Sequence, residues 1–126
     1  MYNFKKFEGR NLRLEDRITI TKSNSIGFPQ KFYIDNGIKD IKFVVLFWDE
    51  GSKAIGIQFT NSETEKNKFS ILHSKQGYGG SVVARSFFRS NNIDPKEFHG
   101  RYKWEKYDMP EVGEVYVVNL KKKEVA

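Results

Sequence analysis

The sequence predicts a β-rich α+β fold made of two ββαββ repeats, packed with pseudo-twofold symmetry around one core. Three observations predict it. Short runs of β-branched and aromatic residues alternate with Gly, Asn, Asp and Ser turns. Helical runs are few and short. The order of elements in residues 17–60 then recurs in residues 69–120. With 126 residues the chain suits one compact domain. Hydrophobic residues at 38% and aromatics at 15% supply a core and argue against disorder.

Residues 1–16 read as a basic leader. Residues 17–22 (RITITK) alternate, with Ile18 and Ile20 on one face, as a strand does. Ser23-Asn24-Ser25 is turn chemistry, and Ile26-Gly27-Phe28 is a second short strand ended by Pro29. Residues 31–36 make one or two helical turns, and Gly37 closes them with positive φ. Residues 43–48 (FVVLFW) form a buried strand, and Asp49-Glu50-Gly51-Ser52 turns the chain. Residues 54–59 (AIGIQF) return, with Ile55, Ile57 and Phe59 on one face and Ala54, Gly56 and Gln58 on the other.

Residues 61–68 (NSETEKNK) hold no apolar residue and read as a linker. The order then restarts: a strand over 69–72, a Gly-rich turn over 74–79, a strand over 80–83 and a helix over 84–91. Asn92 stands where Gly37 stood. An alternating strand over 101–107, a turn over 109–113 and a strand over 114–120 close the second unit, and 121–126 is a basic tail. A shift of 55 aligns Phe32 with Phe87, Asn36 with Asn91 and Ile38 with Ile93. Flanking matches need longer shifts, so the second copy has longer loops. A single unit of this size has too little interior to be stable, whereas two share one core. The chain then acts as a monomer with internal pseudosymmetry, or pairs further as a homodimer.

The pattern RITITKSNSIGFPQKFYIDNGIKDIKFVVLFWDEGSKAIGIQF sets an alternating strand, a polar turn, a strand ending near Pro, a short helix ending in Asn36-Gly37-Ile38, and two strands around an acidic Gly turn. It resembles the swapped-hairpin DNA-binding domain of the AbrB/MazE/SpoVT transition-state regulators and antitoxins, over residues 17–60 and more weakly 69–120. Where that family usually has a Gly-Asp pair after its helix, this chain has Asp40-Ile41-Lys42, and its helix is shorter. The resemblance implies a barrel-like or swapped-hairpin core whose first hairpins turn basic residues toward DNA.

Charge leads to the same ligand class. Lys and Arg number 22 against 16 Asp and Glu, a net charge of +6 that favours polyanionic partners. Residues 17–34 hold no acid while carrying Arg17, Lys22 and Lys31. Residues 66–93 hold none while carrying Lys66, Lys68, Lys75, Arg85 and Arg89. Each stretch is the first hairpin plus helix of its unit. These eight residues are the expected phosphate contacts. Acids collect instead at the second hairpins: Asp49 and Glu50, then Asp108, Glu111 and Glu114.

Three weaker signals accompany these. Gly77-Tyr78-Gly79-Gly80 reads as a hairpin loop or as a phosphate cradle with a stacking ring. Lys103 and Lys106 beside Tyr102, Trp104 and Tyr107 read as core strand or as a platform for single strands. Lys121, Lys122 and Lys123 add nonspecific affinity or are a solvated end.

Zero Cys excludes disulfides and thiolate metal sites. His73 and His99 lack ligating neighbours in sequence, and the spacing of Asp35, Asp40, Asp49 and Glu50 demands no metal. The expectation is no enzyme, no cofactor and no metal. No window approaches the ~18–20 apolar residues of a membrane span, and the start lacks a signal-peptide core, so a soluble cytoplasmic protein is expected. The favoured function is a noncatalytic DNA-binding regulator of bacterial or phage type. The alternatives are a small inhibitor or adaptor that binds a host protein, and a binder of single-stranded nucleic acid, including RNA.

Overall fold

A computed structural model describes residues 1–5 and 16–123. Most of the expected leader, and residues 124–126 of the expected tail, lie outside the described residues. Strands β1 (Ile18–Ile20) and β2 (Ser25–Phe28) form the first hairpin. Thr21 closes it by donating its N–H to the Ser25 carbonyl at 2.9 Å, and Asn24 takes a φ of 67° at the corner. Helix α1 (Gln30–Asp35) follows Pro29. It stops where Gly37 adopts φ 65°, the left-handed conformation that glycine takes most readily. A 3-10 turn, Ile38–Asp40, leads into β3 (Phe43–Asp49) and β4 (Ala54–Thr60).

The second half runs β5 (Phe69–Ser70), β6 (Leu72–His73), β7 (Gly80–Val83), α2 (Arg85–Ser90), α3 (Pro95–Phe98), β8 (Gly100–Tyr102), β9 (Trp104–Met109) and β10 (Gly113–Asn119). Two five-stranded antiparallel sheets result, in the orders β6-β7-β2-β1-β8 and β5-β3-β4-β10-β9. In each sheet the middle seam joins a strand of the first half to one of the second. β2 pairs with β7 from Ser25↔Val83 to Phe28↔Gly80, and β4 pairs with β10 from Ile57↔Tyr116 to Ala54↔Asn119.

Three sequence expectations are corrected. The single strands expected over 69–72 and 101–107 are each cut in two, because the chain passes from one sheet to the other. β5 pairs with β3 but β6 with β7, and β8 pairs with β1 but β9 with β10. Ile71 sits buried at the first crossing, its N–H donating to Lys42 O at 2.9 Å. Helix α3 was not expected, although its signals stand in the sequence. Asp94 Oδ1 accepts the Lys96 N–H at 2.9 Å, and Pro95 occupies the first helical position. The barrel-like core is not formed among the described residues: both sheets are open.

The core is one cluster that draws on both sheets and on the helices. The first sheet gives Ile18, Ile20, Ile26, Phe28 and Val82, and the second gives Val44, Ile55, Ile57 and Val118. Phe32 is fully buried, with ring centroids of Phe28, Trp104 and Tyr116 5.3–5.8 Å away. Such edge and offset contacts add about 0.5–1.5 kcal/mol per pair beyond area burial. The two helices end alike: Asn36 and Asn91 occupy the same capping position with φ,ψ of −106°,9° and −107°,9°.

Candidate nucleic-acid interface

The basic residues expected to meet phosphate divide by their attachment to the first sheet. Lys22 is exposed in the turn between β1 and β2. That turn is fastened to the entrance of α2, since the Ala84 N–H donates to Asn24 O at 2.8 Å. The next residue is Arg85. Helix α2 buries Phe87 and Phe88 and leaves Arg85, Ser86, Arg89 and Ser90 exposed. With Val83, these four line an open cleft of about 540 Å³. Lys22 and Arg85 are therefore brought together at the entrance of one helix, with Arg89 in its last turn beside the same cleft.

A second group stands at the other end of the β2–β7 seam. Lys75 is exposed in the turn between β6 and β7. Gly79 of that turn, at φ 155°, lies so near the end of β2 that a Cβ there would meet Phe28 O at 2.9 Å. The turn is thus seated at the entrance of α1, where Lys31 lies. A four-residue ladder separates the two groups by about 10 Å.

Among the described residues, no carboxylate pairs with Lys22, Lys66, Lys75, Arg85 or Arg89. The other three candidates are engaged locally. Lys31 is 2.6 Å from Asp35, one turn along α1. Lys68 donates to Glu63 O and Glu65 O at 3.0 Å and lies over the Phe43 ring, although it lines a cleft with Ser86 and Ser90 on α2. Arg17, at the start of β1, donates to Asp16 O at 2.9 Å. Lys66 is exposed in the 61–68 loop, and among the described residues no hydrogen bond ties it to either group.

The acidic hairpins belong to the other sheet. Asp49 and Glu50 lie at the turn between β3 and β4. Asp108 and Glu114 face each other across β9 and β10. Glu50 has its carboxyl held below the usual range, first by the Trp48 indole N–H and then by Lys53. Both basic hairpins are thus in one sheet and both acidic hairpins in the other.

The weaker signals resolve differently. The Gly77 N–H donates to Ser74 O and the Tyr78 N–H to Ser74 Oγ, so these donors are spent inside the turn rather than on a phosphate cradle. The Tyr78 ring remains exposed. The aromatic platform is not assembled: Tyr102 is buried with its hydroxyl donating to Phe98 O, and Trp104 packs on Phe32 and Tyr116. Burial pushes the Tyr102 hydroxyl up to about 12.

One residue was missed. Arg101 alternates with buried Tyr102 and pairs with Thr19, which pairs with Gly27, placing it on the outward row of the first sheet. The signal was the alternation itself, which needed the strand break at residue 103 to be read correctly.

His73 has a structural part. Its Nε2 donates to the Ile41 carbonyl at 2.8 Å, which fixes the proton there, and its Nδ1 accepts from the Tyr33 hydroxyl at 2.6 Å. This ties β6, and the Lys75 hairpin with it, to α1. Burial, and then the charge of Asp40, raise the Tyr33 hydroxyl above its ordinary value. Among the described residues, no three His, Asp or Glu side chains converge on a metal-sized site, and no helix is long and apolar enough to cross a membrane.

No family model, curated protein or solved structure matches this chain.

Proposed function

We propose that the protein is a noncatalytic nucleic-acid-binding protein, with double-stranded DNA as its ligand, acting in the cytoplasm as a regulator of bacterial or phage type. The observation that carries this reading is the separation of charge by sheet. The turns bearing Lys22 and Lys75 both belong to the first sheet and both abut helix entrances, next to Arg85 and Lys31. Two basic groups about 10 Å apart suit phosphates on neighbouring strands of a duplex, which fix register without reading sequence.

The proposal includes the finer architecture. Residues 17–60 and 69–120 are two ββαββ repeats related by a pseudo-twofold axis, in the manner of the AbrB/MazE/SpoVT swapped hairpins. What supports this is the exchange of roles across both seams, β2 for β7 and β4 for β10, and the matching helix ends at Asn36 and Asn91.

The test is a fluorescence-anisotropy titration of a random duplex at several salt concentrations. With about half of the eight candidates engaged, the slope of log affinity against log salt is roughly 3 to 5 in magnitude. Arg85→Ala with Arg89→Ala lowers the slope. Lys31→Ala changes it less, because Asp35 already neutralises that ammonium. Absence of binding at low salt overturns the reading and leaves the host-protein inhibitor or adaptor in its place.

A further inference from the structure

The outward face of the second sheet holds a groove that the proposed nucleic-acid contacts do not use. One row crosses four strands: Phe47 pairs with Gly56, Gly56 with Val117, and Val117 with Glu105. Gly56 has no side chain, so the row dips there between Phe47 and Met109. Tyr107, about half exposed, forms part of the wall. The groove has a volume of about 430 Å³. Carboxylates stand on both sides of its apolar floor, Asp49 on β3 and Glu105 on β9. Among the described residues the Glu105 carboxylate has no ion-pair or hydrogen-bond partner. Lys106 also borders the groove, but its ammonium is 3.9 Å from Glu114 and lies over the Tyr116 ring.

A segment of complementary chemistry is exposed on the same molecule. Met1, Tyr2 and Phe4 are the most exposed large hydrophobic residues among those described, at 123%, 84% and 88%. The two rings stack on each other at 5.3 Å. Lys5 and Lys6 follow, and no acid occurs before Glu8. Two aromatic rings beside cationic side chains match an apolar floor flanked by carboxylates.

We propose that this groove holds residues 1–5 of a second copy of the chain, and that two copies exchange these segments reciprocally. Geometry permits it. Asp16 is fixed beside β9 by the Trp104 indole, which donates to its Oδ1 at 3.0 Å. The stretch from there to residue 5 spans up to about 36–40 Å when extended, enough to reach a neighbour. Within one chain the segment stands in solvent instead of in its own groove. Reciprocal exchange closes a twofold dimer and leaves no unpaired copy of either surface. Each segment brings two rings of roughly 150–250 Å² apiece, and two segments on their floors reach the ~1,000 Å² of a specific interface.

Sedimentation equilibrium of the full chain tests this. The wild type shifts from monomer to dimer as concentration rises. Tyr2→Ser with Phe4→Ser weakens the dimer at least ~10-fold, as loss of buried aromatic anchors does, and leaves the circular dichroism spectrum intact because both rings are exposed within one chain. Asp49→Lys with Glu105→Lys weakens it as well, and adding Lys5→Glu with Lys6→Glu restores it. A chain that stays monomeric, or a dimer indifferent to Tyr2 and Phe4, overturns the proposal. Nucleic-acid affinity is measured separately, so either reading fails without the other.

Discussion

The side chains of Asn36 and Asn91 make the same hydrogen bond, each Nδ2 donating at 2.9 Å to the carbonyl four residues back, Phe32 in one case and Phe87 in the other. Both asparagines also return their backbone N–H to that carbonyl. The residue after each is left-handed: Gly37 at φ 65° and Asn92 at φ 55°. Two helices of six residues are thereby stopped by one device.

That device predicts opposite outcomes at equivalent positions. Asn92→Gly relieves the left-handed strain and stabilises by up to ~1 kcal/mol. Gly37→Val costs ~1–2 kcal/mol. No atom lies within 4 Å of a Cβ built on Gly37, so this loss is purely conformational. Urea unfolding of both variants checks the signs.

The equivalent phenylalanines are not equally placed. Phe32 is at 0% exposure amid four rings, whereas Phe87 is at 9% and, among the described residues, meets the Phe88 ring alone. Phe32→Ala therefore costs ~3–5 kcal/mol, and Phe87→Ala falls at or below the lower end of that range. Denaturant midpoints at constant m-value decide it.

The Tyr33–His73 bond predicts non-additivity. His73→Ala leaves the buried Tyr33 hydroxyl without an acceptor and costs ~1–3 kcal/mol. Tyr33→Phe combined with His73→Leu removes both polar partners and recovers part of that loss. A double-mutant cycle by urea unfolding measures the coupling.

Buried tyrosines set an alkaline limit. The Tyr102 hydroxyl is pushed up to about 12 from an ordinary value of 10, and burial also raises those of Tyr33 and Tyr116. Below pH 10 both folded and unfolded chains keep the Tyr102 proton, and stability does not depend on it. Between pH 10 and about 12 the unfolded chain loses that proton first, so stability falls as pH rises. Tyr102→Phe flattens this descent. Thermal unfolding across pH 9 to about 12 follows it.

The local devices were legible in the sequence. Alternation placed Ile18, Ile20, Ile55 and Ile57 inward, and Gly37 and Asn92 marked the helix ends. What stayed hidden depends on partners far along the chain. That residues 69–73 serve two sheets follows from β3 lying on one side and β7 on the other, which no local pattern encodes. The engagement of Lys31 by Asp35 was readable from their i,i+4 spacing. That of Lys68 by backbone carbonyls was not, because it depends on the path of the 61–68 loop. The groove above Gly56 required β9 to be placed two strands away.

Because each sheet is sewn at its middle by one strand from either half of the chain, synthesis leaves the first sheet incomplete until β8 emerges and the second until β10 does. Until β7 emerges β2 presents a bare, hydrogen-bonding edge to the cellular milieu, and until β10 emerges so does β4. Folding is therefore a late, all-or-none event governed by distant closures, slow for a chain of this size. The interval before it is when such a chain most needs a chaperone, or a second copy, to shield those edges.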